Sequence, residues 1–167
     1  MHIRTERPED IPGIRHVNQA AFDTAAEADL VEALRQQAHP IVSLVAVDGE
    51  AVMGHILFSP MTLLSRADMQ IMGLAPMAVL PGRQRQGIGS ALVRTGLEEC
   101  RRLGFGAVVV LGHPDYYPRF GFVPASTFGL KSEYDVPDDV FMALELSTDA
   151  LRDRAGTIRY HPAFAAV

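Results

Sequence analysis

The sequence predicts an α/β fold with a mixed sheet, and three observations lead there. Two apolar runs, 43–47 and 51–58, flank Asp48-Gly49, a dipeptide suited to a tight type I′ hairpin turn. Pro81-Gly82 separates a strand-like run from a segment of helical period that closes at Gly104. Ala107 to Leu111 then reads as a strand buried on both sides, and strand, helix and strand in succession imply a right-handed parallel crossover.

Each element follows from local chemistry. His2 to Arg7 reads as a first strand, and Pro8-Glu9-Asp10 starts a helical stretch in which Ile14, Val17 and Ala21 recur on one face. A second helix carries Leu30, Val31 and Leu34, with Glu27 and Asp29 near its start, where the helix dipole favours acids, and His39-Pro40 ends it. After the hairpin, the turn-like Ser65 to Asp68 leads into a strand over roughly Met69 to Leu80, which completes an antiparallel meander. Pro76 cannot donate to a sheet ladder, so it predicts a bulge or a splay in that strand. In the helix from Gly87 to Leu103, Arg94, Glu98, Arg101 and Arg102 form a solvated arc, and Leu92, Val93, Leu97 and Leu103 lie off it. A short turn or helix at Pro114 to Arg119, a strand near Phe122 and a last strand near Val140 to Leu146 follow. Tyr160 and Phe164 read as a terminal anchor held by aromatic burial or as an oligomer contact, which leaves a homodimer open.

The 167 residues suit one domain, 1–167, and a composition 48% apolar and 21% charged is globular. A formal charge of −5 lacks the basic footprint of a general nucleic-acid binder. The single cysteine, Cys100, excludes an intrachain disulfide and a cysteine zinc cluster, fits a reducing cytoplasm, and reads as a small buried hydrophobe. The six histidines are not closely paired, so no metal site is expected. Met1 to Asp10 is charged and no run approaches the roughly 20 apolar residues of a membrane span. A soluble, unsecreted, cytoplasmic protein without membrane partners is expected.

The segment from Val79 to Ser90 joins a strand end to a helix start, where backbone N–H groups lack intrahelical partners and attract anions. Gly87 and Gly89 bring no side chain that would hold a phosphate away, and Arg83 and Arg85 add positive charge. The site suits a pyrophosphate. No Gly-Lys-Ser/Thr is present to serve a nucleotide triphosphate, and the dinucleotide fingerprint lacks its third glycine. Gln84-Arg85-Gln86-Gly87-Ile88-Gly89 instead matches Gln/Arg-x-x-Gly-x-Gly/Ala and resembles the coenzyme A loop of the GNAT acetyltransferases.

A second motif stands in register with the first. Val108 to Phe122, with Tyr117-Pro118-Arg119-Phe120-Gly121-Phe122 at its end, resembles the strand, turn and Tyr-x-x-x-Gly-Phe signature of that family. The order of elements agrees along essentially the whole chain. Leu111-Gly112-His113-Pro114 with Tyr116-Tyr117, and Tyr160 to Phe164, resemble the bacterial YhbS-like branch.

The resemblance implies the GNAT acyl-CoA N-acyltransferase fold, a mixed central sheet with splayed strands flanked by helices, and direct sequential acetyl transfer from acetyl-CoA to a small-molecule or peptide amine. It implies that Met77, Ala78 and Val79 present backbone to pantetheine in the splay, and that Gln84, Arg85, Gln86, Gly87, Ile88, Gly89 and Ser90 hold the pyrophosphate. A backbone N–H near Val79 would face the oxyanion. Tyr117 would be the general acid, with Tyr116 packing or touching substrate. Many relatives carry a carboxylate on the splayed strand, but Met72 to Leu80 holds none. Glu27 and His113 are therefore the candidate bases. Gly112-His113-Pro114 stands where many relatives have an asparagine that contacts pantetheine. His55 and Ser59 either line the cleft or are ordinary hydrogen-bonded residues. Two alternatives stand beside the enzyme: a coenzyme A-binding regulatory module without efficient turnover, and a protein-binding scaffold.

Overall fold

Prolines mark several helical starts: Pro8 opens a 3-10 turn, Pro12 lies in the first turn of the helix that follows, and Pro81 opens another 3-10 turn. The missing N–H of proline costs nothing in a first turn, where no intrahelical acceptor exists. The computed structural model describes residues 1–167. Three α-helices, α1 (Ile11–Phe22), α2 (Ala26–Gln37) and α3 (Ile88–Arg102), are joined by nine strands. These are β1 (His2–Thr5), β2 (Val42–Asp48), β3 (Ala51–Leu63), β4 (Ile71–Val79), β5 (Ala107–Leu111), β6 (Val123–Pro124), β7 (Leu130–Ser132), β8 (Phe141–Glu145) and β9 (Gly156–Arg159). Hydrogen bonding orders them β1-β2-β3-β4-β5-β8-β6, with β9 pairing β3 and β7 off this path. No helix is long and apolar enough to cross a membrane.

The chain divides into two compact units: Met1–Ser59, Ala75–Gly96 and Pro162–Val167 form one, and Pro60–Leu74 with Leu97–His161 form the other. In the first unit β1, β2 and β3 pair antiparallel. Asp48 pairs with Ala51, so the loop is Gly49-Glu50, and of these only Gly49 has positive φ. A type I′ turn needs two such residues, so the predicted turn type is corrected although the hairpin stands where expected. Period two sorts β3: Ile56 and Phe58 share a face with Gly54, whose neighbours are Ile88 and Leu92 of α3, while His55 turns the other way and meets Asn18 of α1. A Cβ at Gly96 would lie 2.1 Å from the Phe58 ring, so only glycine lets α3 rest on that side chain. Ile14 and Val17 of α1, and Leu30, Val31 and Leu34 of α2, are buried as their helical spacing predicts. Each such side chain stabilises the fold by about 1.5–3 kcal/mol. Phe164 is buried in this unit.

In the second unit β5 pairs parallel with β4 on one side and antiparallel with β8 on the other, and Ala107 to Val110 are buried. Parallel pairing covers only Ile71 to Gly73 of β4 against Ala107 to Val109, although β4 continues to Val79. The length not paired with β5 contains Pro76, in agreement with the predicted splay. Two strands were not legible: β7 and β9 are too short to show alternation, and β9 rather than β8 is the last strand. β3 also runs past Phe58 to Leu63, where it pairs with β9. Leu103 is exposed, because α3 ends at Arg102 and leaves it beyond the buried stripe.

Candidate active site

The cradle lies in the first unit. β4 ends at Val79, a 3-10 turn occupies Pro81–Arg83, and α3 begins at Ile88. Met77 and Val79 are half-buried on either side of buried Ala78, the alternation of a strand with one accessible face. Leu80 N–H donates to the Met53 carbonyl at 3.0 Å, and Gln84 Nε2 donates to the Val79 carbonyl at 3.1 Å. Gln84 to Gly87 are exposed. Arg85 and Gly87 have φ of +63° and +85°, so left-handed residues alternate along the loop. A non-glycine residue held in that region carries about 1–2 kcal/mol of strain.

The residues present fit a pyrophosphate. The first i to i−4 bond of the helix runs from Ala91 N–H to the Gly87 carbonyl, so the amides of Ile88 and Gly89 precede it and lack intrahelical acceptors. A Cβ at Gly87 would meet nothing within 4 Å, so the space before the loop is open. The two arginines differ. Arg83 Nη2 lies 2.6 Å from Asp48 Oδ2, which largely neutralises its charge and ties the β2–β3 turn to the cradle, whereas exposed Arg85 makes no salt bridge. The positive charge expected from both arginines is thus offered chiefly by Arg85.

Tyr117 lies in the second unit, where it opens the 3-10 turn Tyr117–Phe120 and is 7% exposed. The His113 carbonyl accepts the amide N–H of Tyr116 at 3.1 Å and of Tyr117 at 3.4 Å. The Tyr117 ring packs edge-on against Tyr116 and Phe122, at 5.1 and 5.7 Å between centroids. Burial, with a smaller contribution from Tyr116, pushes its hydroxyl up to about 12, so it is protonated at neutral pH. Tyr116 is engaged otherwise: the Arg119 guanidinium lies 4.4 Å above its ring. The His113 side chain is exposed.

Glu27 sits in the first turn of α2, half-buried, and accepts the Thr24 hydroxyl at 3.1 Å, while Thr24 Oγ1 accepts the Ala26 N–H at 3.3 Å. It shares the first unit with the cradle, whereas His113 shares the second with Tyr117. Cys100 is buried, and burial followed by the Glu99 charge pushes its thiol up to about 12, so no thiolate forms near neutral pH.

His55 is a structural residue of the first unit. Asn18 Nδ2, which also donates to the Ile14 carbonyl at 3.0 Å, donates to His55 Nδ1 at 3.3 Å. The proton therefore sits on Nε2, which donates to Ser43 Oγ at 2.9 Å; Ser43 donates in turn to Glu6, which pairs with Arg35 at 2.8 Å. Burial foremost, against the attraction of Glu6 and with help from Arg35, pushes the imidazole down to about 4. This network joins α1, α2, β2, β3 and the residue after β1, from positions with no common spacing in sequence; of the two readings the sequence left open for His55, the hydrogen-bonded residue is the one found. Ser59 is fully buried.

A sequence profile described as "Acetyltransferase (GNAT) family" matches residues 11–122, a span that includes both the cradle and the Tyr117 turn. The chain belongs to the GNAT acetyltransferase family. Family relatives include the Escherichia coli K12 protein named uncharacterized N-acetyltransferase YhbS, 38% identical over 165 residues that cover 98% of each chain. YjhQ of the same organism, also named an uncharacterized N-acetyltransferase, is 44% identical over 135 residues, 78% of this chain and 74% of YjhQ. The crystal structure of E. coli YhbS in complex with CoA superposes with a TM-score of 0.92 at 36% identity, covering 98% of this chain and 91% of that one. A GNAT acetyltransferase from Brucella melitensis in complex with acetyl-CoA gives 0.81 at 38% identity, covering 98% and 97%. The mixed sheet with splayed strands and flanking helices is the fold these GNAT structures share with the chain.

Proposed function

We propose that the chain transfers the acetyl group of acetyl-CoA to an amine acceptor in one direct step. The observation that carries this reading is the exposed loop at the start of α3, with left-handed Arg85 and Gly87 leading into the first helical turn, where the amides of Ile88 and Gly89 have no intrahelical acceptor. The CoA and acetyl-CoA bound by the YhbS and Brucella proteins support the donor. In this reading Gln84 to Ser90 hold the pyrophosphate, with Arg85 as the main cation. The backbone of Met77, Ala78 and Val79 orients the pantetheine arm, and a backbone N–H near Val79 meets the charge that develops on the carbonyl oxygen.

Acetyl-CoA supplies the activated thioester. As the amine nitrogen bonds the carbonyl carbon and the carbon–sulfur bond breaks, Tyr117, protonated at the outset, gives its proton to the departing sulfur and is later reprotonated from solvent, while the amine gives its own proton to a base. Glu27 and His113 are the two proposed acceptors of that proton, to be separated by the pH profiles of Glu27→Gln and His113→Gln. Cys100, sealed as a thiol, is unsuited to carry an acyl group, which supports direct transfer over a covalent intermediate.

The test is thiol release from acetyl-CoA with a panel of small amines and peptide N-termini, alongside calorimetric CoA binding. Wild type should release thiol with at least one acceptor class, and Arg85→Glu should weaken CoA binding. CoA binding without release across the panel would favour the regulatory module, and no CoA binding at all would overturn the donor.

A further inference from the structure

We propose that Gly112 is a positioning residue for Tyr117: the absence of a side chain just beyond β5 is what seats the tyrosine ring. The inference rests on the acid role proposed for Tyr117. A Cβ built on Gly112 would lie 2.3 Å from Tyr117 Cε2, 2.8 Å from Cδ2 and 3.3 Å from Cζ, the carbon that bears the hydroxyl. The backbone does not demand glycine here, because Gly112 is not among the positive-φ glycines. The demand comes from contact alone.

Both partners are held by their neighbours. Gly112 N–H donates to the Val140 carbonyl at 2.9 Å, which holds the backbone against the strand that follows. The Tyr117 amide is tied to the His113 carbonyl, and its ring meets Phe122, itself 2% exposed, edge-on at 76°. Phe120 and Tyr116 complete the surround at 6.3 and 5.1 Å between ring centroids. The ring is thus held between the bare backbone of Gly112 and aromatic neighbours.

A methyl group at Gly112 must move the ring by about 1 Å to restore ordinary contact, and a misplacement of that size costs on the order of 10²-fold in rate. The experiment is a double-mutant cycle on acetyl transfer. Gly112→Ala should lower kcat by about 10² with the KM for acetyl-CoA within about twofold, because the displaced group acts in proton transfer rather than in donor binding. In a Tyr117→Phe background, which keeps the ring but lacks the hydroxyl, adding Gly112→Ala should change kcat by less than about twofold. Equal losses in both backgrounds, or an unchanged rate for Gly112→Ala, would overturn the positioning role. Full activity of Tyr117→Phe would instead overturn the acid role, a result visible before Gly112 is touched. Should Gly112→Ala not fold, Gly112→Ala/Tyr117→Leu decides: a cooperative thermal transition restored by removing the ring supports the contact, and no restoration overturns it.

Discussion

The cradle and the tyrosine turn use glycine for opposite reasons. Gly87 faces open space, with no atom within 4 Å of a Cβ built there, and is needed because φ is +85°. Gly112 has no positive φ, and an added Cβ would meet Tyr117 at 2.3 Å. The cradle is exposed and made of backbone, so its chemistry depends on conformation. The Tyr117 ring is buried against other side chains, so the role proposed for it depends on packing. A small local change should therefore weaken ligand binding in the first region and mispose a reacting group in the second.

The largest effect is expected at the buried region. Tyr117→Phe keeps the packed ring and removes the proton, so kcat should fall by about 10²-fold or more with CoA affinity unchanged, read by thiol release beside calorimetry. A rate within threefold of wild type would break the contrast, because packing would then serve no acid. The buried His55 network carries the next effect. Its imidazole stays neutral in the folded chain down to about pH 4, whereas the unfolded chain takes up a proton near 6.5. Stability is therefore fully present above 6.5 and falls as pH drops towards 4, by on the order of 3 kcal/mol. For Glu6, burial raises the carboxyl but hydrogen bonds from Arg35 and Ser43 together hold it below its ordinary value, so its contribution is lost in the same direction at lower pH. Thermal unfolding between pH 7 and 4 reads this slope, and His55→Gln should flatten it.

The exposed cradle predicts smaller and different changes. Gly87→Ala forces a side chain into left-handed backbone, which costs about 1–2 kcal/mol, and should weaken CoA binding about tenfold. Gly82→Ala, also facing open space but without positive φ, should leave both stability and binding near wild type. Equal effects from the two would show that conformation is not what the cradle requires. Arg85→Gln should weaken CoA binding more than Arg83→Gln, because Arg83 is already paired with Asp48, and added salt should narrow the difference.

Amino-acid order alone determined the three α-helices, the hairpin, the strand-helix-strand crossover and the place of the glycine loop before α3, because each rests on local periodicity or on glycine and proline chemistry within a few residues. It also marked Tyr117 through motif register. What only the tertiary structure decided lies at longer range: the pairing of Arg83 with Asp48, the chain from Asn18 through His55 to Arg35, the short strands β7 and β9, and the contact of Gly112 with Tyr117. A three- or four-residue strand is stabilised by its partner and too short to carry a period, and a hydrogen bond between distant residues has no spacing to read. Even the five residues that separate Gly112 from Tyr117 become a contact only because the turn folds the ring back onto the strand end, a geometry that side-chain packing, not residue order, imposes.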